Sequence, residues 1–224
     1  MNRYSRLLQL PDFNEKTLEI LGKMRILVVG AGGVGQHVST YLITNGITSI
    51  TIVDFDKVEL SNLNRQILLE EKDVGRLKID VVREALLARN SEADIKGINV
   101  KIDETNVSKI VNREYDVVID ALDNWKSKFV ISRECKKQEI PLLHIGVDGF
   151  RGQYCLFKKT ALHEILDKEI LDAPKDGVIG SVVGLISSMA TTYLIQYLIN
   201  KNATDELYYC DINDQRFNKI KLEK

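Results

Sequence analysis

The sequence predicts an α/β fold: a doubly wound, mostly parallel sheet with helices on both faces and antiparallel strands added at the C-terminal end. Three observations predict it. Short apolar runs alternate with segments of helical periodicity, the first run opens into a glycine loop, and an aspartate closes the second run. The runs are continuous rather than alternating, as strands covered on both faces require.

The elements follow in order. Residues 1–22 read as an N-terminal helical arm that ends in a helix over 14–22. Residues 24–29 (MRILVV) form a strand that stops at glycines, and a helix runs from the glycine loop to about Asn45. A second strand spans 49–53, and the apolar spacing over 76–89 predicts a helix. Strand 95–102, a short helix 105–113, strand 115–120, helix 126–138 and strand 140–145 come next. After Gly149 the rhythm changes to a strand at 151–157, a long charged crossover loop at 158–178 and an uncharged helix at 179–200. Two final strands, 206–211 and 216–222, are expected to pair as a hairpin through Asn213 and Asp214. Neither a repeat nor a linker divides the chain, so residues 1–224 read as a single domain.

Charge and cysteine usage narrow the function classes. The 31 basic and 32 acidic residues nearly cancel, which gives no global attraction to nucleic acid or an anionic membrane. Cys135, Cys155 and Cys210 form no CxxC pair and leave one unpaired in any disulfide scheme, which points to a reducing, cytoplasmic setting. The N-terminus lacks the apolar run of a secretory signal. Residues 179–199 carry no charge over a membrane-spanning length. Ser181, Ser187, Ser188, Thr191, Thr192 and Gln196 interrupt them, so they are read as a core or interface helix rather than a span.

The glycine loop is the first candidate site. Gly30, Gly32, Gly33 and Gly35 follow a strand and open a helix, where backbone N–H groups and the helix N-terminus approach phosphates. Asp54 ends the next strand and can hold ribose hydroxyls. These residues indicate an adenine nucleotide and leave NAD and ATP open. The stretch DFDKVELSNLNRQ ends in Arg65 and Gln66, and Lys78 stands at the start of a later helix. Two fixed cations suit a triphosphate whose α-phosphoryl oxygens gain charge during attack. The DALDN segment places Asp123 at the carboxyl edge of the sheet, where one carboxylate and phosphate oxygens can hold Mg²⁺. Asp120 reads as a strand end or cap, Trp125 as a core or interface anchor, and His37, His144 and His163 as isolated residues without a role.

The motifs RYSR, GAGGVG, DFDKVELSNLNRQ, the Gly75 to Lys78 segment, DALDN and Gly177 to Ala190 resemble, in that order, the ThiF/MoeB/HesA family, bacterial relatives of ubiquitin-activating enzymes. The resemblance runs nearly end to end. It implies ATP-dependent adenylation of the C-terminal glycine carboxylate of a small ubiquitin-like (ThiS/MoaD-like) sulfur carrier protein ending in Gly-Gly. By motif position it implies a site of Gly30, Gly32, Gly33, Gly35, Asp54, Asn62, Arg65, Gln66, Lys78 and the magnesium-binding Asp123. It further implies a homodimer in which Arg6 reaches the neighbouring subunit's site.

The chain departs from the family's pattern in two places. No CxxC pairs exist to bind zinc, so none is expected. Residues 158–178 carry no cysteine for a covalent intermediate. Cys155, on the preceding strand, is the remaining candidate and reads better as a small buried residue. The expectation is therefore an enzyme that stops at the acyl-adenylate and passes it to a separate sulfur donor. Peptide or tRNA-linked carboxylates, and the thiamine and molybdopterin pathways, stay open as substrate classes. An NAD-dependent oxidoreductase leaves Arg65, Lys78 and DALDN unexplained together, and a non-catalytic carrier-binding scaffold has no reason to keep those charges.

Overall fold

Residues 3–166, 177–200 and 205–222 are described by the computed structural model. Strands β1 (Arg25–Val29), β2 (Ser49–Val53), β3 (Asp94–Ile98), β4 (Val117–Asp120), β5 (Leu142–Asp148), β6 (Arg151–Phe157), β7 (Glu206–Asp211) and β8 (Arg216–Lys221) form one sheet in the order β3-β2-β1-β4-β5-β6-β7-β8. The β3-β2-β1-β4-β5 half is parallel and the β5-β6-β7-β8 half antiparallel. The expected fold class is therefore the one observed. The order reverses at β1, which has β2 on one side and β4 on the other, and this is where a parallel sheet opens a crevice at its carboxyl edge.

Helices cover both faces. α1 (Glu15–Gly22), α2 (Gly33–Thr44), α3 (Lys78–Arg89) and α7 (Gly180–Asn200) pack on one side, and α4 (Val107–Ile110), α5 (Trp125–Gln138) and α6 (Leu162–Ile165) on the other. Side chains alternate along each strand, so Ile26, Val28, Ile50, Ile52 and Ile119 face the first layer. Leu27, Val29, Val53, Val118 and Leu142 face the second. Both faces are apolar, and the strands read in sequence as unbroken runs for that reason.

Local chemistry sets the ends of the helices. Asn14 caps α1 by accepting from Thr17 N–H at 3.0 Å, and Asn124 caps α5 by accepting from Ser127 N–H at 2.9 Å. α5 stops where Glu139 turns left-handed at φ 60°. Among the described residues α7 is the one helix long and apolar enough to cross a membrane by length and composition. Its buried side, with Val182, Val183, Ile186, Ala190 and Leu194, belongs to the core shared with α2, β5 and β6, which accounts for its lack of charge.

Several boundaries differ from the sequence reading. The third strand ends at Ile98 rather than 102, because Val100 and Ile102 leave the ladder to line the crevice. The helix expected over 105–113 is the single turn Val107–Ile110, ended where Val111 turns to extended backbone and is buried in the second layer. The fifth strand is Leu142–Asp148 rather than 140–145, since its antiparallel pairing with β6 carries it past the carboxyl edge of β4. The crossover read at 158–178 contains α6, and its residues 167–176 lie outside the described residues.

Gly152 on β6 is a packing glycine. A Cβ there would lie 2.3 Å from the Ile186 side chain on α7. Gly152→Ala should cost about 1 to 3 kcal/mol of stability in urea unfolding, and Ile186→Val in the same chain should return part of it, because the clash is one of overpacking.

Candidate functional site

The crevice at the switch point is a cavity of about 520 Å³. Its floor comes from the ends of β1 and β2 and from Ile145 and Val147 of β5, and its walls from the α2 N-terminus, the start of α3 and the loop after β4. Gly30, Gly32, Gly33, Asp54, Arg65, Gln66, Lys78 and Asp123 all line it. Gly35, Asn62 and Arg6 do not line the cavity, and Gln66 lines it while being only 3% exposed.

The glycines divide by task. Gly30 sits at φ 108° and its Cβ would lie 2.6 Å from the carbonyl oxygen of Ala121. Gly35 is tighter still, with a Cβ position 1.9 Å from Gly30 O. These two let the turn and α2 close onto the sheet. Gly32 meets nothing within 4 Å, so the space above it is open to a ligand, next to the helix N-terminus. The polar loop of residues 60–66 is wedged between α2 and α7, where a Cβ on Gly33 would approach Arg65 O at 3.1 Å and one on Gly180 would approach Asn64 O at 2.5 Å.

Asp54 Oδ2 accepts from Ala31 N–H at 2.7 Å and Oδ1 from Asp56 N–H at 2.7 Å, so the acid braces the glycine turn. Burial pushes its carboxyl above the ordinary value, against the pull of those two amides and of Lys78. Lys78 is 6% exposed and its Nζ lies 2.9 Å from Asp56 Oδ2. Arg65 Nη1 donates to Ser61 O and Asn64 Oδ1, both at 2.9 Å. Asn62 is a buried brace of its own loop, accepting from Glu59 N–H at 3.2 Å. Arg6 is exposed and reaches Gln9 Oε1 at 3.5 Å.

Sequence reasoning missed four groups. Gln36, 0% exposed, donates to Ala31 O at 2.9 Å and Gln66 Oε1 at 3.3 Å and accepts from Leu68 N–H at 2.9 Å. It ties the glycine turn to the polar loop. Its signal was an amide inside an otherwise apolar helix face. Asp56, left without a role, is the resting partner of Lys78. Phe55 stands at the cavity mouth with Lys101 Nζ 5.4 Å from its ring centre.

The fourth group lies under the loop that carries Asp123. Asp120 is fully buried, with Lys128 Nζ at 3.1 and 3.0 Å from its two oxygens and His144 Nδ1 at 2.8 Å from Oδ2. Its Oδ1 also accepts from Leu122 N–H at 3.2 Å, which shapes the loop. The Lys128 cation and the His144 hydrogen bond hold the Asp120 carboxyl below the usual range despite its burial. Reading Asp120 as a strand end was thus incomplete. The histidines are not isolated either, since His37 Nδ1 lies 2.8 Å from Gly33 O and His163 Nδ1 2.9 Å from Ser132 Oγ. Trp125 is half-buried, with its ring centre 5.8 Å from that of His144 and 6.4 Å from that of Phe129.

The three cysteines are buried and unpaired, and burial raises the Cys155 thiol well above its ordinary value. A thiol so disposed is a poor nucleophile. Among the described residues no group of three or more His, Cys, Asp or Glu side chains could hold a metal by itself.

The sequence profile of the ThiF family matches residues 4–224. The molybdopterin-synthase adenylyltransferase of Escherichia coli (strain K12) is 29% identical over 99% of this chain and 92% of its own length. The sulfur carrier protein adenylyltransferase of Thermus thermophilus is 28% identical over 100% of this chain and 88% of its own. Longer relatives exist: the chain spans 64% of the probable molybdopterin-synthase adenylyltransferase of Gracilaria tenuistipitata and 54% of that of Porphyra purpurea. A crystal structure of E. coli MccB with AMPCPP and MccA superposes with a TM-score of 0.87 at 24% identity, over 100% of this chain and 72% of that one. That likeness is one of fold.

Asp120 links stability to pH. A carboxyl with a depressed folded-state value contributes stability in full above the ordinary carboxylate value and loses it as pH falls through the depressed one. Asp120→Asn, which leaves Lys128 buried and unpaired, should lose about 3 to 5 kcal/mol at neutral pH and lose less on acidification than the parent, as read by urea unfolding across pH.

Proposed function

Because this chain belongs to the ThiF family, we propose that it is an adenylyltransferase that uses ATP to activate the C-terminal glycine carboxylate of a small ubiquitin-like sulfur carrier protein, releasing pyrophosphate. The observation that carries the reading is the convergence of the glycine turn, Asp54, Arg65, Lys78 and Asp123 on one cavity at the switch point. The names of the relatives from E. coli and Thermus thermophilus support the substrate class.

In this reading the phosphates lie over Gly32 at the α2 N-terminus and Asp54 holds the ribose hydroxyls. One oxygen of the carrier's carboxylate attacks the α-phosphorus, the bond from that phosphorus to the bridging oxygen breaks, and pyrophosphate leaves with the electron pair. An acyl-adenylate remains. The attacking carboxylate is already ionised at neutral pH, so no protein base is required. Catalysis then consists of in-line placement and charge neutralisation. Lys78 and Arg65 do this by exchanging Asp56 and the carbonyls of their own loop for phosphate oxygens. Magnesium, held by Asp123 with phosphate oxygens completing its shell, would supply further neutralisation of the leaving group. The donor set fits such an ion, because Mg²⁺ accepts one or two carboxylates together with phosphates and water.

Arg6 lies outside its own chain's cavity, and its proposed place is the cavity of a second copy in a homodimer. With its cysteines buried, the chain is proposed to stop at the acyl-adenylate in the cytoplasm and to hand it to a separate sulfur donor.

The decisive assay is exchange of radiolabelled pyrophosphate into ATP, with a panel of ubiquitin-fold proteins ending in Gly-Gly. Carrier-dependent exchange is expected, and Asp123→Ala and Lys78→Met should each lower it by about 100-fold or more with unfolding curves unchanged for Asp123→Ala. Exchange with no carrier in the panel, or reduction of NAD by the protein, sinks the reading. Mixing inactive Arg6→Ala and Asp123→Ala chains should restore exchange if Arg6 acts across a dimer, because one site of the mixed pair is then complete.

A further inference from the structure

A chain of hydrogen bonds runs from α5 through β4 and β5 to β6, and none of its members touches the reacting atoms in the adenylation reading. Lys128 Nζ donates to Asp120 Oδ1, Asp120 Oδ2 and Ile145 O, at 3.1, 3.0 and 3.0 Å, which occupies all three ammonium hydrogens. Asp120 Oδ2 takes the Nδ1 hydrogen of His144 at 2.8 Å. His144 Nε2 then lies 3.3 Å from Gln153 Nε2 on β6. Burial and the nearby Lys128 charge keep His144 from taking a second proton. The ring therefore donates at Nδ1 and accepts at Nε2, and it can receive only the NH₂ end of Gln153. Each member dictates the orientation of the next. The series ends with the Gln153 carbonyl oxygen turned away from His144, and among the described residues that oxygen has no hydrogen-bond partner.

The place where this oxygen is presented is not arbitrary. Gln153 is the cross-strand neighbour of Gly146, and its side chain lies on the His144 face of the sheet, the face covered by α5, whose first turn lines the cavity through Asn124 and Ser127. A Cβ on Gly146 would come within 3.3 Å of Gln153 Cγ and 3.5 Å of His144 Nε2, so the bare glycine lets the glutamine lie flat across the strand pair. Gln153 is half-buried and at the same carboxyl edge as the cavity mouth. A glycine tail carries no side chains, so a protein can recognise it in extended form only through its backbone N–H and C=O groups. A fixed acceptor at the carboxyl edge of the sheet suits one of those N–H groups.

We infer that Gln153 is a specificity residue for the carrier's tail: its amide oxygen accepts a backbone N–H of the extended C-terminal segment as the carboxylate enters the cavity. Lys128, Asp120 and His144 are positioning residues that act through it. The same Asp120 also holds Leu122 N–H, so one buried carboxylate aligns the Asp123 loop and the tail acceptor together. This inference rests on the adenylation reading.

The test uses the intact protein and whichever Gly-Gly carrier supports exchange in the assay above. Gln153→Leu should raise the KM for the carrier about tenfold, the weight of one backbone hydrogen bond, while the KM for ATP and kcat stay within about twofold. A semisynthetic carrier whose final glycine nitrogens are methylated one at a time should lose about tenfold at one position with the parent enzyme and nothing further with Gln153→Leu, as a closed double-mutant cycle. Nitrogen NMR of His144 in the parent should find Nδ1 protonated and Nε2 bare. An unchanged carrier KM in Gln153→Leu, equal methylation losses in both enzymes, or a protonated Nε2 overturns the inference while leaving adenylation standing. Absence of exchange with every carrier overturns the adenylation reading and this inference with it.

Discussion

The cavity depends on the contact at which the glycine turn after β1 meets the first residues after β4. Gly30 presses on the Ala121 carbonyl and Gly35 on Gly30 O, at separations that exclude even one methyl group. That contact brings the α2 N-terminus and the Asp123 loop to opposite walls of one crevice. It also lets α2 lie close enough to the sheet for Gln36 to reach both the turn and the segment at Leu68. Steric exclusion at two glycines thus sets the spacing within which every charged group of the crevice works.

Around that contact, charge is arranged in two ways. At the mouth Lys78 and Arg65 hold exchangeable partners: a half-exposed Asp56 on the one hand, the oxygens of Ser61 and Asn64 on the other. In the proposed reading a triphosphate replaces these without leaving a buried charge bare. Beneath the loop the Asp120, Lys128 and His144 cluster is dry and fully paired, so it cannot exchange partners without a large cost. The outer charges keep exchangeable partners, and the inner ones hold geometry. The inner cluster is carried by three separate elements, β4, α5 and β5, and holds their ends in one relative placement.

The parallel half of the sheet was legible because burial on both faces writes itself as uninterrupted runs, as in Arg25–Val29 and Ser49–Val53. The antiparallel hairpin of β7 and β8 was legible from its turn residues. The third strand was overextended because Val100 and Ile102 are as apolar as strand residues, although what they line is the crevice. Periodicity carries no mark that separates those two fates. The fifth strand was cut short for the converse reason. Gly146 and Asp148 look like a strand's end, and only their pairing with Gln153 and Arg151 keeps them in the ladder.

What the sequence determined by itself was the order of the elements and the identity of the residues around the glycine turn, since tight turns and two-sided burial constrain the residue type position by position. Arg65 and Lys78 could be named there as cations in search of an anion, and Asp123 as a carboxylate in search of a cation. Tertiary structure alone decided how those charges are paired at rest, that Asn62 braces its own loop, and that Asp120, Lys128, His144 and Gln153 form one series. The last four lie up to 33 positions apart on four different elements (153 − 120). A hydrogen bond between such residues is a property of how strands and helices pack, and it leaves no local pattern in the chain that encodes it.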